Sequence, residues 1–242
     1  VRKKAVAVLC AVGILSLAAF AVWQVNRQAA VIRTVESFVA AVASGDVELA
    51  ADLSAGAVAW RAKSIEQFAK VVEIQAAVLD MGRGWAQARA FVELVLQDGS
   101  HDAGWYRLEL VNEGEWKIVS VSETVPWPSG LWGSVGEKEV QEAKSVFASY
   151  LESLIQNRYQ EAGRYLCGPA RRAHERSAPV LAVAPLLEQA GEVSLAPVWR
   201  KGGQMICRVC YEADGQKMNA LVRFVRLGDG WHILSITQLG SY

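Results

Sequence analysis

The sequence lacks a net charge, a glycine-rich phosphate loop, paired metal carboxylates and a nucleotide-binding fingerprint, and each absence removes a class of function. With 25 basic residues against 25 acidic ones there is no cationic excess of the kind that recruits phosphates, so no nucleic acid is expected as a partner. The three histidines, His101, His174 and His232, fall at no spacing that makes a metal face or pairs a nucleophile with a base; they are expected in a turn, a helix-rich segment and a strand. No catalytic residue, metal or cofactor is therefore called for. What the chain does have is apolar material: 52% of its 242 residues are hydrophobic and 21% charged, which suits one large or two small cores and excludes a disordered or fibrous chain.

Charge is also missing from Ala5 to Val25, directly after Arg2, Lys3 and Lys4. As a helix this run spans roughly 30 Å, the thickness of a bilayer's hydrocarbon core. Trp23 suits the interface, and the basic cluster ahead of the run favours a cytoplasmic N-terminus. Residues 1–29 are thus expected to form a cytoplasmic tip and a single membrane helix, with everything beyond them extracytoplasmic. The alternative is a signal peptide cleaved near Ala21, at the small-x-small sequence Ala19-Phe20-Ala21, which would leave a secreted protein. Leu9 is too large for a lipid anchor on Cys10, and Val1 reads as an alternative start codon of a bacterial gene.

An internal repeat organises the remainder. Trp116-Lys117-Ile118-Val119-Ser120 aligns with Trp231-His232-Ile233-Leu234-Ser235, Asp98-Gly99 with Asp214-Gly215, and Gly45-Asp46 with Asn157-Arg158, all at offsets of 112 to 116 residues. Each copy reads as helices followed by four strands. In the first, helices are expected over 30–44, 46–54 and 64–70 and strands over 71–82, 85–97, 104–112 and 115–124. In the second, helices are expected over 138–156, 158–167 and 178–189 and strands over 192–200, 204–213, 217–227 and 230–239. The strand over 85–97 has a two-residue period, with Ala86, Ala88, Ala90, Val92, Leu94 and Leu96 on a buried face and Gln87, Arg89, Glu93 and Gln97 on a wet one. Helices first and a bent antiparallel sheet after them make the class α+β.

The Ser37–Leu53 segment with its Gly45-Asp46 turn, the long strand pairs and the closing Gly114-Glu115-Trp116 and Gly230-Trp231 strands resemble the nuclear transport factor 2-like superfamily, cystatin-like cones in which helices pack into a curved sheet. The resemblance implies a first such domain over 30–125, a Pro/Gly/Trp linker over 126–136 and a second domain over 137–242. Enzymes with this fold line the cone with Asp, Tyr or His; here the inward positions read as alanine and aliphatics. Asp80, the only carboxylate expected near a cavity mouth in the first copy, reads as a turn residue.

Three features are left. Cys207-Arg208-Val209-Cys210 has CxxC spacing, but on a strand residues three apart face opposite ways, so buried thiols are expected, with a Cys167 bridge to Cys207 or Cys210 as the alternative. Trp127 and Trp132 in the linker are expected to dock onto one or both domains, or else to meet a partner or the membrane surface. Arg158, Arg164, Arg171, Arg172 and Arg176 crowd the second copy's helices around His174, either as a solvated face or as a docking patch for an acidic partner or anionic membrane.

A single membrane helix followed by paired cones resembles the Gram-positive conjugal-transfer and type IV secretion scaffold family. The chain departs from it in having no extended linker, since no Pro or Gly interrupts Gly13 to Gly45. The resemblance implies a noncatalytic, membrane-anchored extracytoplasmic scaffold in a conjugation, secretion or other envelope complex, with other envelope proteins or a second copy of the chain as partners. The alternative is a cone that binds a small apolar ligand or acts on one. The zero charge resolves along the chain: residues 1–33 hold five basic and no acidic groups, 34–136 seven and fourteen, and 137–242 thirteen and eleven.

Overall fold

The computed structural model describes residues 2–63, 69–125, 133, 135–181 and 189–241, with side chains described from 18 to 177 and from 189 to 239 within those ranges. The linker expected over 126–136, including Trp127 and Trp132, lies almost entirely outside the described residues. The class is α+β: helices and two four-stranded antiparallel sheets, ordered β1-β2-β3-β4 and β5-β6-β7-β8. The chain forms two compact units, Val1–Gln67 with Gln75–Ala90 and Arg107–Ser122, and Phe68–Ile74 with Phe91–Tyr106 and Glu123–Tyr242.

The first unit begins with α1, one helix over Arg2–Ser44, uninterrupted as the lack of Pro and Gly after Gly13 leads one to expect. Val31, Val35, Phe38 and Ala41 are buried, a three-to-four spacing that turns one stripe inward. Among the described side chains from residue 18 to residue 30 none is buried, and Phe20, Val22, Trp23 and Val25 are each about half exposed or more. Among the described residues no helix is long and apolar enough to cross a membrane; the side chains of residues 2–17, the larger part of the expected span, lie outside the described residues. Arg27 fastens α1 to the β1–β2 turn, donating to the Gly82 and Arg83 carbonyls at 2.6 and 3.1 Å while its guanidinium lies over Trp23. Gly45 ends the helix at φ 73°, and the Asp46 carboxylate caps α2 (Val47–Asp52) by accepting from Leu49 N at 3.0 Å.

The strands follow the expected sequence closely: β1 Lys70–Met81, β2 Trp85–Val95, β3 His101–Asn112, β4 Trp116–Thr124, then β5 Ser194–Lys201, β6 Gln204–Ala213, β7 Gln216–Leu227 and β8 Gly230–Ser241. Three readings are corrected. The first copy has a helix, α3, over Gly56–Ala62 that was not expected, opened by Gly56 at φ 59°; residues 64–68 of the helix expected over 64–70 lie outside the described residues, and Lys70 already begins β1. After α4 (Glu137–Ile155) and α5 (Tyr159–Gly163), α6 over Gly168–Leu181 starts well before the helix expected over 178–189, of which residues 182–188 lie outside the described residues: Gly168 at φ 54° turns the chain and Pro169 supplies a favourable helical position in the first turn. His101 opens β3 instead of lying in a turn, since the Asp98 carboxylate closes the turn at once by accepting from Ser100 N and Oγ at 2.9 and 2.6 Å.

The core of the second unit follows from two periodicities meeting. Ala143, Phe147, Leu151 and Leu154 make the buried stripe of α4. It packs on Met205, Cys207 and Val209 of β6, Ala220, Val222 and Phe224 of β7, and Trp231 and Ile233 of β8. Register pairs Met205 with Phe224, Cys207 with Val222 and Val209 with Ala220, so alternate residues of neighbouring strands share that face. Register shifts at Asn219/Ala220 and Arg223/Phe224 bend the sheet around the helix.

Repeated sequence signals recur as repeated backbone features. Positive φ appears at Gly45 and Asn157, at Gly56 and Gly168, at Gly99 and Gly215, and at Gly114 and Gly230. Ser54 bridges Ile118 in parallel within the first unit, and Leu166 bridges Ile233 in the same way within the second.

Candidate functional site

Of the five arginines singled out from sequence, three are spent on internal pairs. Arg158 meets Glu161 at 2.6 Å, one helical turn away. Arg171 donates to Glu175 at 3.0 Å and to Ser100 Oγ at 3.1 Å. Arg172 donates to Asp102 at 3.2 Å and clasps Glu123 through two guanidinium nitrogens. Arg176 is exposed on α6. Arg164, also exposed, is the one that lines a cleft.

That cleft has a volume of about 600 Å³ in the second unit, bounded by Glu142, Ser145 and Val146 of α4, Arg164 and Tyr165 after α5, and Arg226 to His232 around the β7–β8 turn. Arg226 is held by register: it follows Val225 and precedes Leu227, both buried, so alternation turns it outward. Its guanidinium sits 5.9 Å from the Trp231 ring, close enough for a cation–π contact. The carboxylates of the cleft are engaged, Asp229 with His232 Nε2 at 3.5 Å and Glu142 with Lys138 at 3.9 Å. Among the described residues neither Arg164 nor Arg226 has an ion pair of its own, although Arg226 contributes to the field that holds Glu139 below the usual carboxylate range, after the larger effect of the Arg200 hydrogen bond. Trp231 is 5% exposed, and its buried indole Nε1 finds no acceptor among the described residues. Arg164 and Arg226 thus bring two guanidiniums to a cleft whose own carboxylates, Glu142 and Asp229, lie beside other cations or histidine. Sequence reasoning found Arg164 through the cluster and Trp231 only as a repeat marker; it missed Arg226 and Asp229, which lie far along the chain from Arg164, isolated in strand and turn.

The buried carboxylates Glu93 and Asp102 and the buried His174 have structural partners. Glu93, expected on the wet face of β2, is only 6% exposed: its Oε1 accepts from Gly228 N and from His101 Nδ1, both at 2.9 Å. Phe91 on the same face is also buried, against Ala103, Trp105 and Leu234, because the end of the β2–β3 hairpin belongs to the second unit. Asp102 accepts from the Gly168 N–H at 2.6 Å, placing a carboxylate at the start of α6. Asp80 is exposed and accepts from Met81 N at 2.8 Å. His174 Nε2 donates to the Tyr159 carbonyl at 2.8 Å. Cys167, Cys207 and Cys210 are free thiols. Cys207 and Cys210 face opposite ways as the strand requires, and burial pushes Cys207 up to about 12 and Cys167 well above the usual thiol range.

A second cleft of about 510 Å³ lies where α4 crosses the far end of the same sheet, lined by Phe147, Tyr150, Leu154, Tyr211, Met218 and Ile236 among others. Burial raises the Tyr150 hydroxyl to about 12, which keeps it a neutral hydrogen-bond donor.

No protein-family profile and no curated protein matches the chain. Among solved structures, an Ntf2-like protein involved in plasmid conjugation aligns over 87% of this chain and 96% of its own, at 8% identity and a TM-score of 0.35. A cystatin-like protein from Ruminococcus gnavus aligns over 84% of this chain and 76% of its own, at 11% identity and a TM-score of 0.23.

Proposed function

We propose that the chain is a noncatalytic protein-interaction module of the bacterial envelope, and that the cleft between Arg164 and Arg226 receives an acidic segment of another envelope protein. The observation that carries this reading is the pair of guanidiniums that have no ion pair of their own among the described residues, while the cleft's carboxylates Glu142 and Asp229 lie against Lys138 and His232. The cluster's other arginines support it by contrast, since Arg158, Arg171 and Arg172 are already neutralised. Anchoring by residues 1–29, with the rest extracytoplasmic, belongs to the same proposal. It is supported by the uncharged run to Val25 and by apolar side chains exposed around α1 from Phe20 to Val25. Two nuclear transport factor 2-like domains, 30–125 and 137–242, are proposed on the repeated turns and bridges.

Calorimetric titration of the full chain in detergent with a glutamate-rich peptide tests the cleft. Binding is expected, abolished by Arg164→Glu with Arg226→Glu and retained by Arg158→Glu. Equal loss in the Arg158→Glu control would mean that overall charge, and not the cleft, holds the peptide. A second reading, binding of a small apolar ligand, is favoured by the aromatic cleft of Phe147, Tyr150 and Tyr211; a naphthalene-type fluorescent probe displaced by Tyr211→Ala would support it.

A further inference from the structure

Arg27 is the first charged residue after the uncharged run that ends at Val25. Its guanidinium is held from several sides within the first unit. It donates to the Gly82 and Arg83 carbonyls of the β1–β2 turn at 2.6 and 3.1 Å, and lies 4.6 Å from the Trp23 ring and 5.8 Å from the buried Trp116 ring. The turn is closed by Gly82 N, which donates to the Trp85 carbonyl at 3.0 Å, and steadied by Asn112 N, which donates to the Gly84 carbonyl at 2.9 Å. The tip of this hairpin is thereby fixed beside α1 two residues past Val25, about 3 Å along the helix axis.

Aromatic rings gather at this level of α1. Phe20 and Trp23, each about half exposed, have ring centroids 5.7 Å apart. Trp85, 46% exposed, lies across the turn: a Cβ on Gly82 would stand 2.1 Å from its Nε1, on the residue whose carbonyl holds Arg27. Alternation places Trp85 on the face of Gln87 and Arg89, opposite the buried Ala86 and Ala88, so its ring is no part of the core. One exposed indole on such a face needs no explanation. Here two indoles and a phenyl ring are gathered about the tie made by one guanidinium, and Arg83 is exposed at the turn's tip. Amphipathic rings with arginine stems suit the boundary between hydrocarbon and headgroups, where Trp is enriched and arginine reaches for the polar layer.

We propose that the β1–β2 turn of the first unit is a second membrane contact, in which Trp85 enters the lipid headgroup layer beside Trp23 and Arg83 reaches the headgroup phosphates. The contact rests on anchoring by residues 1–29 and adds to it that a folded hairpin, and not the helix alone, touches lipid. Lipid is the occupant because the uncharged run has the length of the hydrocarbon core, and a turn tied to Arg27 comes to the level at which that run leaves it. The contact is independent of the acidic-peptide cleft, and either stands without the other.

Photolabelling of the full chain in vesicles tests both the anchor and the turn. The vesicles are made of phosphatidylethanolamine and phosphatidylglycerol with a trace of phosphatidylcholine that bears a diazirine on its acyl chain near the glycerol, and lipid adducts are mapped by mass spectrometry. Adducts are expected on α1 up to Trp23 and on the peptide that holds Trp85. None is expected at Leu49, which is exposed to a similar degree but lies past the far end of α1, roughly 25 Å of helix beyond Arg27. Arg27→Gln, which frees the turn, is expected to lose the Trp85 adducts and keep those on α1, with circular dichroism separating release of the turn from unfolding. Adducts on α1 without any at Trp85 would overturn the contact while leaving the anchor in place; adducts on neither would overturn both. Labelling of Leu49 equal to that of Trp85 would mean that the probe follows exposure alone, and would likewise overturn the contact.

Discussion

Replacing Asp102 separates the two tasks its carboxylate performs. One oxygen accepts from the buried Gly168 N–H at 2.6 Å, and the other meets Arg172 at 3.2 Å. Asp102→Ala leaves the first N–H of α6 without an acceptor, a cost of about 1–3 kcal/mol, and loses an ion pair whose arginine is about a third exposed, for roughly 0.2–1 kcal/mol more. The expected destabilisation is about 1–4 kcal/mol. Asp102→Asn keeps an amide oxygen for Gly168 and gives up only the charge, so about 1 kcal/mol is expected, and Arg172 retains Glu123. Urea unfolding followed by circular dichroism at neutral pH gives both values. Asn and Ala variants of equal stability, or an Ala variant within about 0.5 kcal/mol of the wild type, would refute the assignment of Asp102 as the anchor of α6.

Gly168→Ala is expected to cost at least about 3 kcal/mol, because φ is 54° and an added Cβ would stand 2.4 Å from the Ala103 carbonyl oxygen; a stable, wild-type-like alanine variant in the same urea assay would contradict the turn. The Arg200 hydrogen bond, followed by weaker contributions from Gly136 N and the Arg200 and Arg226 charges, holds Glu139 below its ordinary 4.5, so its stabilisation is present above that pH and lost as pH falls through the lower folded value. The stability gap between wild type and Glu139→Gln should therefore be present at about pH 7 and close towards about pH 3, and a gap that widens in acid would reverse the sign. Burial protects Cys167 and Cys207, so among the three cysteines whose side chains are described iodoacetamide mapped by mass spectrometry should label Cys210 first and the other two only in denaturant; early labelling of Cys207 would exclude its placement under α4.

The strands were legible because alternation and turn residues are local signals: Asp98-Gly99 and Asp214-Gly215 mark hairpins whatever surrounds them. The helix starts at Gly56 and Gly168 were missed because each follows a short segment that bridges a strand edge, Ser54 to Ile118 and Leu166 to Ile233, and opens on a glycine at positive φ in place of a polar cap. Glu93 illustrates a different limit. Its alternation assigns it to the wet side of β2, and only the arrival of Gly228, 135 residues later, buries it. In the candidate site, Arg164 was visible through charge clustering, whereas its neighbours Arg226 and Trp231 come from strands that tertiary pairing brings beside it. Clustering in sequence also overstated the patch, since Arg171 and Arg172 point at carboxylates of the β2–β3 hairpin and β4 that no local pattern reveals.

The most direct test of a partner-docking role is photo-crosslinking in intact cells from a reactive residue placed at Ser145, in the Arg164–Arg226 cleft, against one placed at Gln156, at the end of α4. The docking role predicts a discrete protein adduct from Ser145 alone, with the linked peptide acidic and the adduct lost in Arg164→Glu with Arg226→Glu. An adduct that forms equally from Gln156, or that persists when both arginines are reversed, would contradict it.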